Sequence, residues 1–194
     1  MVRVATEPHR HTKLIILDRD GVINYDSEQF IKTPDEWRPI PGSLEAIARL
    51  SHAGFRVVVA TNQSGIGRGL YDAAAYHAVQ QRLTELLAAH GAHVDAAYFC
   101  PHYPDTDGPC DCRKPGVKLF RDAQDVLGID LRRSYWVGDR LSDVEPARAL
   151  GADTTRGILV ATGHGGRHRA QAEALGIPVV PDLAAAVEQI VQGK

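Results

Sequence analysis

The sequence predicts an α/β fold: a Rossmann-like parallel sheet with helices on both faces. Three observations predict it. Short apolar runs, β-branched or aromatic rich, recur along the 194 residues and often lie close to Gly, Pro or Asp. Longer amphipathic stretches alternate with them, and strand-helix alternation makes a parallel sheet. The runs are almost uniformly apolar, as strands buried on both faces are.

The elements follow in order. KLIIL at 13–17 reads as the first strand. A polar, Pro-rich stretch, NYDSEQFIKTPDEWRPIPG at 24–42, breaks the alternation. PG at 41–42 with Ser43 marks a helix start, and 43–53 carries Leu44, Ile47, Ala48 and Leu50. RVVVA at 56–60 is the second strand. Residues 72–90 place Val79, Leu83, Leu86 and Leu87 at helical spacing. AAYF at 96–99 is the third strand, followed by a second long polar stretch, CPHYPDTDGPCDCRKPG at 100–116. Then come a helix at 116–127, a strand at 134–137 (SYWV), a helix at 141–150 and a strand at 157–161 (GILVA). A helix at 167–175, a short strand at 178–180 and a helix at 182–191 end the chain. Trp37 and Trp136 read as packing residues.

The length suits one domain, 1–194, with a core of ordinary size. Hydrophobic residues make up 44% and charged residues 24%, and the net charge is −2. That balance argues against a nucleic-acid partner, which selects for a basic excess. No apolar run approaches 18 residues, so no membrane span is expected. MVRVATEPHRHTK at the start lacks the apolar core of a signal peptide, which points to the cytoplasm. All three Cys fall between 100 and 112, which is one local site and not a secreted disulfide framework.

In an open α/β sheet, ligands bind beyond the carboxyl ends of the strands. Four polar clusters occupy such places. Asp18 and Asp20 end the first strand, Thr61, Asn62, Gln63 and Ser64 the second. Arg113 and Lys114 follow the third, and Gly138, Asp139, Arg140 and Asp143 end the fourth. Acids converging on one point need a cation, and hard oxygen ligands suit Mg²⁺. A Lys, an Arg and a hydroxyl beside them would hold a phosphate. One carboxylate can then attack phosphorus and the other manage the proton. Each piece alone has a plainer reading: a turn for D-x-D, a loop and helix cap for T-N-Q-S, a helix start for GDRLSD. GIGRG at 65–69 lacks the spacing and the position of a dinucleotide fingerprint. Four pieces, each at a strand end, outweigh those readings together.

Cys100, His102, Cys110 and Cys112 form C-x-H-x7-C-x-C. Three thiolates and an imidazole are a tetrahedral zinc set, and a closed four-ligand site is structural. Its role would be to fix the loop that presents Arg113 and Lys114. His11, His52, His77 and His90 lie in other segments and read as surface or helix residues.

DRDGVIN, the strand-ending Thr61, Lys114 and GDRLSD resemble, in order, the four motifs of haloacid dehalogenase-like phosphatases. The resemblance implies that Asp18 is the nucleophile and Asp20 the acid/base. It implies that Thr61 and Lys114 bind the transferring phosphoryl group. Asp139 would hold Mg²⁺ with Asp18 and the backbone carbonyl of Asp20. Asp143 is either a second acidic support for the metal or a first-turn helix acid. Asn24 either braces the loop or is a turn residue, and Gly21 lets the chain turn away. Lys118 is a rival to Lys114 but would sit inside a helix.

Together with TNQSGIGRG and CPH…CDCRKP, these motifs resemble the D-glycero-D-manno-heptose 1,7-bisphosphate 7-phosphatase family from about residue 13 to about 163. That family's activity runs through an aspartyl-phosphate and serves lipopolysaccharide or a related glycan. Its substrate contacts fall on Asp18, Arg19 and Asp20, on the loop from Asp26 to Gln29, on Thr61, Asn62, Gln63 and Ser64, and on Arg113, Lys114 and Arg140. Arg113 would meet the second phosphate. The loop between His102 and Cys110 has the length seen in histidinol-phosphate phosphatase domains, so that activity is the alternative. Only 18 residues separate Asn24 from Ser43, a minimal cap that favours an open cleft and a monomer. GHGGRHR at 163–169 is either another anion-binding loop or a turn and helix start.

Overall fold

The structure, a computed structural model, describes residues 13–193. The start of the chain, including His11 and nearly all of the stretch read against a signal peptide, lies outside the described residues. Six strands form one sheet: β1 (Lys13–Leu17), β2 (Phe55–Asn62), β3 (Ala96–Cys100), β4 (Tyr135–Gly138), β5 (Gly157–Val160) and β6 (Val179–Val180). Their order is β3-β2-β1-β4-β5-β6 and every pairing is parallel. This is the Rossmann-like sheet expected from the alternation. The order reverses between β1 and β4, the place where such sheets leave a crevice. Leu17 pairs with both Val59 and Val137; β1 stops there, β4 one residue further on, and β2 runs on through Thr61 to Asn62.

The helices are α1 (Ser43–His52), α2 (Ala73–Ala89), α3 (Pro104–Asp107), α4 (Lys118–Leu127), α5 (Leu141–Val144), α6 (Pro146–Ala149), α7 (Gly165–Ala174) and α8 (Leu183–Gln192). The strands alternate between two cores, as period-2 geometry requires. Ile15, Leu17, Val57 and Val59 pack with Leu44, Ile47 and Leu50 of α1, Val79 and Leu83 of α2, and Leu183 and Val187 of α8. Leu14, Ile16, Val58 and Ala60 face the other way, onto Leu119, Phe120 and Ala123 of α4 and onto Trp136. Each Val, Leu, Ile or Phe among them, fully buried, stabilises the fold by roughly 1.5–3 kcal/mol. Trp37 and Trp136 are both buried, as packing residues are.

Most elements shift by a residue or two at their ends, and the larger differences from the expectation have local reasons. The helix expected over 141–150 is two pieces, α5 and α6. Pro146 has no N–H to give to the turn before it and instead opens α6, where a first-turn Pro is tolerated. The helix expected at 167 begins at Gly165, where an added Cβ would strike the Val160 carbonyl oxygen. Asp72 stands outside α2 as its cap, accepting from the Ala75 N–H at 2.8 Å. The loop at 100–116 carries the short α3, which the polar composition hid.

Candidate active site

β1 stops at Leu17, and the Asp18 N–H still donates to the Val137 carbonyl at 2.9 Å. The chain then turns on Arg19, whose carbonyl accepts from the N–H groups of Val22, Ile23 and Asn24. Gly21 is needed twice over. Its φ of +84° suits glycine, and a Cβ there would run into the Asp139 carboxylate. Asn24 is fully buried and donates from Nδ2 to Asp20 Oδ1 at 2.9 Å and to the Tyr25 carbonyl at 2.9 Å. Of its two readings, the geometry shows the brace.

Asp18 and Lys114 meet at the centre, with Lys114 Nζ 2.9 Å from Asp18 Oδ1 and 2.8 Å from Asp143 Oδ1. Nζ also donates to the Ala60 carbonyl at 2.7 Å, so the ammonium is enclosed by three oxygens. Lys118, the rival, is exposed and pairs with Asp122 at 2.7 Å. Asp143 serves two elements at once. Besides Lys114, it accepts from the Arg140 N–H at 2.9 Å at the start of α5.

Asp18, Asp139 and Asp143 are buried, and each offers an oxygen within 4.8 Å of the others. Three carboxylates against one ammonium leave surplus negative charge. Asp139 Oδ2 accepts from the His164 N–H at 2.7 Å, while Asp139 Oδ1 is buried without a protein partner. That orphan atom and the charge surplus fit a divalent cation bound by oxygen. Burial, aided by Asp18 and Asp143, pushes the Asp139 carboxyl up to about 8. Burial also pushes Asp18 up to about 6, with Lys114 opposing it and Asp143 and Asp20 adding to it. Lys114 goes up: burial opposes its charge, but Asp143 and Asp18 outweigh burial.

Asp20 is held differently. Arg19 donates Nε to Oδ1 at 3.1 Å and Nη2 to Oδ2 at 3.0 Å, and Gln63 Nε2 donates to Oδ2 at 2.8 Å. Burial works to raise the Asp20 carboxyl, but the Arg19 charge and these donors hold it below the usual carboxylate range. Gln63 Nε2 also donates to Thr61 Oγ1 at 2.9 Å, and its Oε1 accepts from Tyr71 Oη at 2.6 Å and Arg19 Nη2 at 3.3 Å.

Several expected substrate contacts thus have protein partners. The Arg19 side chain is only 1% exposed and lies against Asp20. The Asn62 amide clamps the backbone of Lys114, accepting from its N–H at 3.0 Å and donating to its carbonyl at 3.2 Å. Ser64, Arg113 and Arg140 line a cavity of about 520 Å³ over Asp18 and Asp20, as do Asp26, Ser27 and Glu28. Asp26 Oδ2 meets His164 Nε2 at 2.8 Å and Arg140 Nη2 at 3.7 Å, pinning that loop to the rim. Sequence reasoning missed Arg68, Tyr71 and the side chain of His164. Tyr71 carries no spacing signal, and Arg68 was hidden in a glycine run. A second cavity, about 430 Å³, lies between α5, α6 and α7 and is lined by Val144, Leu175 and Ile177.

The Cys100, His102, Cys110 and Cys112 ligand atoms gather in one place. The sulfur-sulfur distances are 3.6, 3.1 and 3.7 Å, and His102 Nδ1 lies 3.2 Å from Cys112 Sγ and 3.6 Å from Cys100 Sγ. The edges of a zinc tetrahedron with Zn–S near 2.3 Å are about 3.8 Å. The cluster is slightly tighter than that and fits one ion.

A strand-end carboxylate pair, a buried Thr, a Lys on the first Asp and two acids after β4 define the class: haloacid dehalogenase-like phosphatases. The HAD-hydrolase-like family model matches residues 111–186. A D-glycero-beta-D-manno-heptose-1,7-bisphosphate 7-phosphatase of Pseudomonas aeruginosa is 50% identical over 92% of this chain and 98% of that protein. One of the same name from Bordetella bronchiseptica is 48% identical over 93% and 98%. The D,D-heptose 1,7-bisphosphate phosphatase structure from B. bronchiseptica, complexed with magnesium and phosphate, superposes with a TM-score of 0.86. It is 47% identical over 94% of this chain and 100% of that one. The chain belongs to the D-glycero-beta-D-manno-heptose-1,7-bisphosphate 7-phosphatase family.

Proposed function

We propose that this protein removes the 7-phosphate of D-glycero-beta-D-manno-heptose 1,7-bisphosphate with the help of Mg²⁺. The observation that carries the chemistry is Asp18, buried at the reversal of strand order, with Lys114 at 2.9 Å and two further acids within reach of one cation. The substrate and the beta anomer follow from the relatives' names. Histidinol phosphate is not favoured, since the relatives matched over nine-tenths of the chain carry the heptose name.

Asp18 attacks phosphorus, and its new O–P bond replaces the bond to the sugar O7. Asp20 gives its proton to O7 as that bond breaks. Phosphoryl oxygens brought beside Asp20 raise its proton affinity, which supplies the acid form in the complex. Asp20 then takes a proton from water. The water oxygen bonds to phosphorus, the Asp18 acyl-phosphate bond breaks, and Asp18 returns as carboxylate. Lys114 stays on Asp18 throughout, and Thr61 Oγ, accepting from Gln63, keeps its own proton free for a phosphoryl oxygen. Asp18, Asp139 and the Asp20 carbonyl would hold Mg²⁺, with Asp143 supporting. When bound, Mg²⁺ offsets repulsion between carboxylate and phosphate and polarises the phosphoryl group.

Zinc on Cys100, His102, Cys110 and Cys112 is part of the same proposal, supported by the near-tetrahedral spacing. Three unpaired Cys in a thiolate site suit the reducing cytoplasm. Among the described residues no helix is long and apolar enough to cross a membrane. The chain is proposed to act as a single-domain monomer with a small phosphorylated sugar as its partner and no nucleic acid. The Asp18→Asn variant tests the chemistry. It should fold, with an unchanged circular dichroism spectrum, and lose phosphate release by at least about 10³-fold. Turnover at the parent rate would remove Asp18 from its role.

A further inference from the structure

Arg68 sits on the loop between β2 and α2, and its guanidinium carbon lies over the Tyr103 ring, 3.7 Å from the centroid. The Phe30 ring is on it as well, at 5.8 Å. Stacking of this kind orients the planar fork and leaves its N–H edges free for an oxyanion. Arg68 lines the catalytic cavity. The cations of that cavity differ in what already holds them. Lys114 is committed to Asp18 and Asp143, while Arg140 leans on Asp26 at 3.7 Å. Among the described residues, Arg68 and Arg113 have no carboxylate partner.

Arg113 donates Nη1 to the His102 carbonyl at 3.4 Å, and the next residue, Tyr103, carries Arg68. Two consecutive residues of the cysteine loop therefore hold both unpaired guanidiniums. The two loops are also joined by hydrogen bonds to the Gly67 backbone. The Gly67 N–H donates to the Pro101 carbonyl at 2.9 Å, and Thr106 Oγ1 donates to the Gly67 carbonyl at 3.3 Å. A Cβ on Gly67 would meet the Tyr103 nitrogen at 2.6 Å, so only glycine allows this approach.

We propose that Arg68 is a specificity residue that grips the second phosphate of the substrate, the one not transferred, beside Arg113. Tyr103 is its positioning residue. The inference rests on the bisphosphate reading above. Arg113 follows the cysteine loop and Arg68 stacks on a residue of it, so one loop steadies both forks beside the cavity and together they form a dianion grip.

The test compares kcat/KM on heptose 1,7-bisphosphate and on heptose 7-phosphate, which lacks the second phosphate. In Arg68→Ala the ratio of the two should fall at least about tenfold. Arg68→Lys keeps the charge but loses the fork, and should recover only part of the ratio. Tyr103→Ala should lower the ratio in the same direction, and Tyr103→Phe should restore it, because the ring face and not the hydroxyl carries Arg68. An unchanged ratio in Arg68→Ala, or equal losses on both substrates, overturns the proposal. Were the bisphosphate reading itself wrong, the parent enzyme would show no preference for the bisphosphate. Were Arg113 alone the reader, Arg113→Ala would lower the ratio and Arg68→Ala would not.

Discussion

Asp139 is fully buried, and its carboxyl holds a proton to about pH 8 where an ordinary aspartate, near 3.8, would not. Between those values the folded chain keeps a proton that the unfolded chain has released, so stability falls as pH rises. Asp18, pushed up to about 6, acts in the same direction over the lower part of that range. A divalent cation replaces the protons and should remove the loss. Metal-stripped protein is therefore expected to melt at a lower temperature at about pH 8 than at about pH 5. Added Mg²⁺ should raise the melting temperature at both, and by more at about pH 8. A rise no larger at the higher pH, followed by thermal melting, would contradict a cation among Asp18, Asp139 and Asp143. Residue roles were unevenly legible in the sequence. Acids, Lys114 and the four ligands of the cysteine loop announce themselves by type and position. The Asn62 clamp on Lys114 and the Gln63 amide between Asp20 and Thr61 do not, because an amide at a strand end looks the same whether it meets substrate or backbone.

The loop from Cys100 to Lys114 does the most for the site at the scale of elements. It leaves β3, folds around a four-ligand cluster, touches the 65–69 loop through Gly67, and returns with Arg113 and Lys114 at the cavity. Burial pushes the Cys100 thiol well up in the absence of metal, with Cys112 adding to it, so zinc binding should displace protons. Removal of zinc by a strong chelator should lower the melting temperature. It should also reduce kcat/KM for the bisphosphate more than for a monophosphate, since both unpaired guanidiniums lose their support. A chelated protein with the same melting temperature and the same preference would show that this cluster braces nothing. The sequence signals this loop through its Cys spacing but hides α3, whose four residues, PDTD, lack an apolar face to mark a helix. The split of α5 from α6 was legible in Pro146 alone, and the amphipathic pattern across 141–150 concealed it.

At the scale of the molecule, the parallel sheet was legible because strands buried on both faces must be apolar throughout, and these are. The strand order was not, since apolar runs do not say which neighbours pair. Yet the order decides the site: only with β4 beside β1 do Asp139 and Asp143 reach Asp18. The short connection from Asn24 to α1 contributes Asp26, Ser27 and Glu28 to the wall of the cavity. Selectivity must then come from loops at the rim and not from an inserted domain. Rim loops of this kind are proposed to select a heptose bisphosphate, from which the site releases the 7-phosphate. Phosphate release with Mg²⁺ from the beta and alpha heptose 1,7-bisphosphates and from histidinol phosphate, measured side by side, tests it most directly. The beta bisphosphate should be preferred over histidinol phosphate by about a hundredfold or more, ~2.7 kcal/mol of transition-state discrimination. The product should be heptose 1-phosphate. Faster turnover of histidinol phosphate, or loss of the anomeric phosphate instead of the 7-phosphate, would contradict it.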